Sequence, residues 1–83
     1  MMVVFVANTK EKAEALCEDY YKNGTPPHIL KRLMYNDNMK TMLGVRPGRL
    51  VVDESEPLSD ELEDEVYYFE SFIKVFNWDK IKD

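Results

Sequence analysis

Apolar and polar positions fall in blocks along this 83-residue chain, and each block has its own period. Met2 to Ala7 is an unbroken apolar run rich in Val, which reads as a strand buried on both faces in the middle of a parallel sheet. Asn8-Thr9 stops it, and Thr9 is placed to cap a helix. Ala13, Leu16, Cys17, Tyr20 and Tyr21 then recur at helical spacing as one apolar stripe. Asn23-Gly24 supplies a left-handed stop, and Thr25-Pro26-Pro27 is a rigid connector. Residues 28–35 fit two readings. Ile29, Leu30, Leu33 and Met34 suit a helix capped by Thr25 with Pro26 in its first turn. The connector suits equally well a second strand with Leu33-Met34-Tyr35 as its core, which is the preferred reading. Asn36-Asp37-Asn38 breaks the segment, and Asn38 is placed to cap a short helix through Met39, Met42 and Leu43, closed by Gly44. Arg46-Pro47-Gly48-Arg49 is a turn, and Leu50-Val51-Val52 is another buried strand, ended by Asp53-Glu54. Ser59 caps a final helix, with Asp60 and Glu61 complementing its dipole. Leu62, Val66, Phe69, Ile73 and Phe76 step by four, three, four and three residues, a stripe about 80° wide at 100° per residue. The spacing predicts one long amphipathic helix to about Asn77.

Taken together, these elements predict a single compact α/β domain over residues 1–83: a small, mostly parallel three-stranded sheet flanked by helices and covered by the long C-terminal helix. A chain of this length holds one core with little margin. Hydrophobic residues at 45% and charged residues at 33%, with three Gly and four Pro, are those of a folded protein. No apolar run approaches the roughly 18 residues of a membrane span, so no membrane contact is expected. The amino end, Met1 to Ala7, lacks a cationic region and is too short for a signal peptide. A single cysteine makes no internal disulfide, so a reducing cytoplasm is the expected location.

The net charge of −5 is unevenly laid out. Residues 1–52 carry eight basic and five acidic side chains, and residues 53–83 carry eleven acidic and three basic ones. Most of that acid lies between Asp53 and Glu65 with no basic residue among it. Two readings follow: the acidic segment folds over the basic half and starts a helix, or it presents an acidic face to a basic partner.

The segment Leu43-Gly44-Val45-Arg46-Pro47-Gly48-Arg49-Leu50-Val51-Val52-Asp53-Glu54 resembles the Walker B region of P-loop NTPases of the helicase and terminase kind, where an apolar strand ends in paired acids. Across residues 2–54 the order of elements is similar to half of such a domain. In that family the first acid helps to hold Mg²⁺ and the second orients the attacking water, roles the resemblance would give to Asp53 and Glu54. No Gly-x-x-x-x-Gly-Lys-Ser/Thr accompanies them in this chain, so the resemblance bears on the fold rather than on ATP hydrolysis. Asp53 and Glu54 remain the candidate ligand or metal residues, beside Asn8-Thr9 at the strand carboxyl ends where open α/β sheets bind ligands. His28 is the only histidine, and Cys17 lies on the apolar stripe, where a free Cys is a small buried hydrophobe. Neither has the surroundings of a nucleophilic pair, and the two are too few for zinc. No enzyme activity, metal or cofactor is therefore expected. Lys31, Arg32, Arg46 and Arg49, with Lys40 and Tyr35, are candidate phosphate or nucleic-acid contacts, but the acidic balance of the chain argues against nucleic acid as its partner.

The final helix carries more apolar surface than one core face requires. Tyr68, Phe72 and Val75 lie on an arc beside the stripe, with Tyr67 and Trp78 further round. Tyr and Trp are enriched in binding hot spots, and surplus aromatics mean burial on two sides or contact with another chain. Tyr68, Phe72, Val75 and Trp78 are thus the candidate protein-binding residues, for a larger protein partner or a homodimer. The expectation is a small acidic interaction module, an inhibitor or adaptor, which in size and composition resembles phage and mobile-element accessory proteins.

Overall fold

The computed structural model describes residues 1–42 and 44–78. Four strands, β1 (Met2–Val6), β2 (Leu30–Met34), β3 (Arg49–Asp53) and β4 (Lys74–Trp78), form one parallel sheet in the order β2-β1-β3-β4. Helix α1 (Lys10–Tyr20) joins β1 to β2, a 3₁₀ turn (Asn36–Met42) joins β2 to β3, and helix α2 (Asp60–Glu70) joins β3 to β4. The two helical crossovers run outward from the central β1/β3 pair in opposite directions. Right-handed connections then require the helices on opposite faces, and the core divides accordingly. Val3, Phe5 and Val51 pack with Leu16 and Cys17 of α1. Val4, Val6, Leu50 and Val52 pack with Leu62 and Phe69 of α2 and with Met42. The unbroken apolar run of β1 follows directly, because Val3 to Val6 are fully buried with a helix on each side.

Helix α1 begins where Thr9 accepts a hydrogen bond from the Lys12 N–H (3.2 Å). It closes through Tyr21 N–H on the Cys17 carbonyl (3.0 Å), followed by Gly24 at φ 97°. Only glycine adopts that backbone without strain. Residues 30–34 are a strand. Their pairing with all of β1, Met2 opposite Leu30 through Val6 opposite Met34, gives the apolar edge of β1 a partner that a helix would leave missing.

Three expectations are corrected. The sheet has four strands, not three. The long C-terminal helix ends at Glu70 rather than near Asn77, and Lys74–Trp78 is the fourth strand. The stripe through Ile73 and Phe76 continues the helical period, but Lys74-Val75-Phe76-Asn77-Trp78 equally suits a strand, and tertiary demand decides. Without β4, β3 would be an edge whose buried Leu50, Val51 and Val52 lacked a neighbour; with it, Arg49 through Asp53 pair in full register. No Gly or Pro marks the stop. Instead the Phe72 and Ile73 N–H groups both donate to the Phe69 carbonyl (3.0 Å each), and Ser71 Oγ donates to the Tyr68 carbonyl (2.8 Å). The third correction concerns Asn38, which lies inside the 3₁₀ turn and bonds to β2 instead of capping a helix. Leu43, expected at the end of that short helix, lies outside the described residues. No helix among the described residues is long and apolar enough to cross a membrane.

Candidate functional site

Helix α2 is built to be half embedded. Ser59 caps it by accepting the Leu62 N–H (3.3 Å), and Leu62 and Phe69 are buried while Val66 is partly so. The next arc is left outside. Tyr68 is 59% exposed and Phe72, in the turn after the helix, is 56% exposed. Both stand edge-to-face on the buried Phe69, at centroid distances of 5.3 and 5.8 Å, and on each other at 5.2 Å. These are favoured aromatic geometries, so two large exposed rings are ordered from beneath by a third. Across a groove of about 510 Å³ they face Met42, Val45 and Pro47 of the segment leading into β3. Glu65 and Arg46 supply one charge of each sign to its lining.

Of the four residues singled out for protein binding, Tyr68 and Phe72 come together here. Val75 does not join them: it is half-buried beneath α2, against the core. Trp78 lies on the opposite face of the sheet, edge-to-face with Tyr20 at 5.1 Å, and its Nε1–H donates to Asp19 Oδ2 (2.5 Å). Both displacements follow from the change of helix into strand, because a period of two sends neighbours to opposite faces. Tyr67 is exposed but stands apart from the stacked rings.

The paired acids end β3 as expected from the sequence, and they have different surroundings. Asp53 is 2% exposed; its Oδ1 accepts the Ser55 N–H (2.7 Å), while its Oδ2 is buried without a partner. Glu54 is exposed, and its N–H donates to the Trp78 carbonyl (2.8 Å). The crevice between the carboxyl ends of β1 and β3, where such sheets hold ligands, is spanned by the chain's own 54–59 loop. Asn8 ties that loop down: its Nδ2 donates to Glu56 Oε2 (2.9 Å) and to the Pro57 carbonyl (2.8 Å), and its Oδ1 accepts the Ser59 N–H (2.8 Å). Asn36 joins from the start of the 3₁₀ turn after β2, donating to the Asn8 carbonyl (3.0 Å) and accepting from Ser59 Oγ (2.5 Å). Lys12 closes the cluster with an ion pair to Glu56. Among the described residues no three His, Cys, Asp or Glu side chains gather as a metal site.

Of the four cations proposed for phosphate contact, Lys31 and Arg32 line one pocket of about 480 Å³ with Tyr35 and with the acids Glu14 and Glu18, while Arg46 and Arg49 lie elsewhere. Lys31 and Arg32 point to opposite faces of β2 by strand alternation, and Arg32 donates to the Thr41 carbonyl (3.4 Å). Arg46 lines the aromatic groove, and Arg49 donates to the Tyr20 hydroxyl (2.9 Å) and lies 4.7 Å over the Phe76 ring. Cys17 is buried, and burial pushes its thiol above the ordinary value of 9.0, with Lys31 pulling the other way and Glu18 adding to the rise. Burial and the raised thiol both disfavour its reactive thiolate form. His28 is an exposed loop residue whose carbonyl accepts from the amino terminus (3.4 Å).

Sequence reasoning passed over Asn8 and Asn38 as connectors and the Arg49–Phe76 stack. Their partners lie 3 to 51 residues away in the chain or on a strand read as helix. The one local signal was Asn8 directly after the apolar run of β1. No known protein family, curated protein or solved structure matches the chain.

Proposed function

We propose that this chain is a non-catalytic protein-interaction module, an inhibitor or adaptor that docks on a larger protein through the aromatic corner of α2. The observation that carries the reading is the pair of exposed rings, Tyr68 and Phe72, held edge-to-face on buried Phe69 beside an apolar groove. Rings already ordered in the free protein lose little side-chain entropy on binding, and anchors of this kind carry a disproportionate share of interface energy. Truncating one costs about 2 kcal/mol or more, roughly a 30-fold loss in affinity. The acids Glu14 and Glu18 beside Lys31 and Arg32, and the loop across the strand-end crevice, both favour this reading over a phosphate site.

The test is capture from a lysate of the source cells on three tagged forms, each checked for a cooperative melt: the native chain, Tyr68→Asp/Phe72→Asp, and Tyr67→Asp. One protein retained in near-stoichiometric amount by the native chain and by Tyr67→Asp, and lost from the double variant, is the expected result. Identical profiles from all three would remove the aromatic corner as the docking face.

A further inference from the structure

The two edges of the sheet are finished differently. On β2, Leu30 N–H donates to the Met1 carbonyl (2.9 Å) and Ala7 N–H donates to the Met34 carbonyl (3.1 Å), so Leu30, Arg32 and Met34 turn their backbone groups inward to β1. Alternation turns those of Lys31, Leu33 and Tyr35 outward. Asn38 occupies this outer edge: its Nδ2 donates to the Leu33 carbonyl (2.8 Å) and its Oδ1 accepts the Tyr35 N–H (2.7 Å). One carboxamide thus makes the pair of bonds that a residue of an added strand would make. Lys31 and Arg32, both exposed on the same strand, add like charge against self-pairing.

Among the described residues no side chain from outside the strand bonds to the edge of β4, whose one charge is the exposed Lys74. The Glu54 N–H donates to the Trp78 carbonyl (2.8 Å), which sets Lys74, Phe76 and Trp78 inward to β3 and leaves the backbone groups of Val75 and Asn77 pointing out. Among the described residues nothing bonds to them. Edges that are not used are normally blunted, as β2 is. The side chains of β4 also match a copy of themselves. In an antiparallel pair centred on Phe76, Val75 faces Asn77 of the second copy and Asn77 faces its Val75. The outward groups then meet in two doubly bonded pairs, four hydrogen bonds in all. Phe76 meets Phe76, a ring already clamped beneath Arg49 at 4.7 Å. Lys74 meets the indole of Trp78 as a cation over a ring. No like charges stand opposite each other along the strand.

We propose that β4 is the self-association edge of this protein, pairing antiparallel with β4 of a second copy to make a continuous eight-stranded sheet, while Asn38 closes the β2 edge. A two-fold axis through such a pair stands perpendicular to the sheet, so both α2 helices lie on one face and both aromatic corners stay free. The inference does not depend on what docks at those corners.

Sedimentation of the purified chain up to about 1 mM tests it, with three variants. Asn77→Pro removes an outward N–H and leaves the β3 ladder intact; Phe76→Lys puts like charges on the axis; Tyr68→Asp/Phe72→Asp alters the other surface. The native chain and the Tyr68/Phe72 variant are expected to sediment as dimers, and Asn77→Pro and Phe76→Lys, each checked for a cooperative melt, to dissociate at least about tenfold more readily. A native chain that stays monomeric to 1 mM overturns the proposal, as does a dimer that Asn77→Pro and Phe76→Lys leave intact. A dimer lost only with Tyr68→Asp/Phe72→Asp overturns it too, and places the seam at the aromatic corner.

Discussion

Cys17 sits where α1 meets β1 and β3, packed with Phe5, Leu16 and Val51. Its thiol acts there as a small apolar group, and its ionised form is disfavoured chiefly by burial. Because the folded thiol titrates above its ordinary value, the unfolded chain gives up its proton first as the pH rises. The associated stability is therefore whole below about pH 9 and is lost as the pH climbs through the raised folded value. Tyr21, raised chiefly by burial from 10.0, adds a loss of the same sign at higher pH. Melting temperature is expected to fall as the pH rises above about 9 and to fall less steeply in Cys17→Ala, which lacks the thiol. Equal slopes for the two proteins would show that the Cys17 thiolate is tolerated where it sits. Slow alkylation of the native thiol, accelerated by denaturant, is the companion expectation.

At the scale of elements, the cluster around Asn8 fastens the end of β1, the start of α2 and the turn after β2 to one another. Ser59 belongs to the same network, through its N–H to Asn8 Oδ1, its cap on Leu62 N–H and its hydroxyl on Asn36. Asn8→Ala removes three hydrogen bonds and is expected to cost about 2 kcal/mol; Ser59→Ala loses a cap and costs about 1 kcal/mol. Since the two share partners, the double variant should lose less than the two singles together, by about 0.5 kcal/mol or more, in urea unfolding. Strict additivity would mean that the loop and the helix cap act independently. The same region shows what the sequence discloses. β1 and α1 are legible because their periods are unambiguous and their stops, Thr9 and Gly24, are local. The start of α2 at Ser59 is legible for the same reason. Its end is not, since Ile73 and Phe76 satisfy both the helical and the strand period, and only the unfilled side of β3 decides between them. That single ambiguity moved Val75 into the core and Trp78 to the far face, and left Tyr68 and Phe72 as the part of the candidate site that the sequence located. Asn8 and Asn38 were illegible as connectors because a carboxamide's partners are set by the fold that it helps to hold.

Over the whole molecule, charge is segregated with little direct compensation. Helix α2 carries Asp60, Glu61, Glu63, Asp64, Glu65 and Glu70 and no basic residue. The sequence allowed the acidic segment to fold over the basic half, yet among the described residues one ion pair, Lys12–Glu56, joins them. The cations are engaged elsewhere: Arg49 on the Tyr20 hydroxyl and the Phe76 ring, Arg32 on a carbonyl. Folding therefore gathers like charges on α2 more than it pairs unlike ones, and that repulsion is the part of the electrostatic energy that salt screens. Raising NaCl from about 0.01 M to 0.5 M shortens the screening length from about 30 Å to under 8 Å. Relief worth about 1 kcal/mol would raise the melting temperature by roughly 4–8 °C in a domain of this size. A fall on adding salt would mean the reverse, that attraction between the two halves outweighs repulsion within α2. The sign alone therefore decides which face of the charge pattern the fold uses. If the temperature rises, the acids of α2 are held in the free protein at a cost that folding does not require, which is the condition under which a basic rim on a docking partner would gain most.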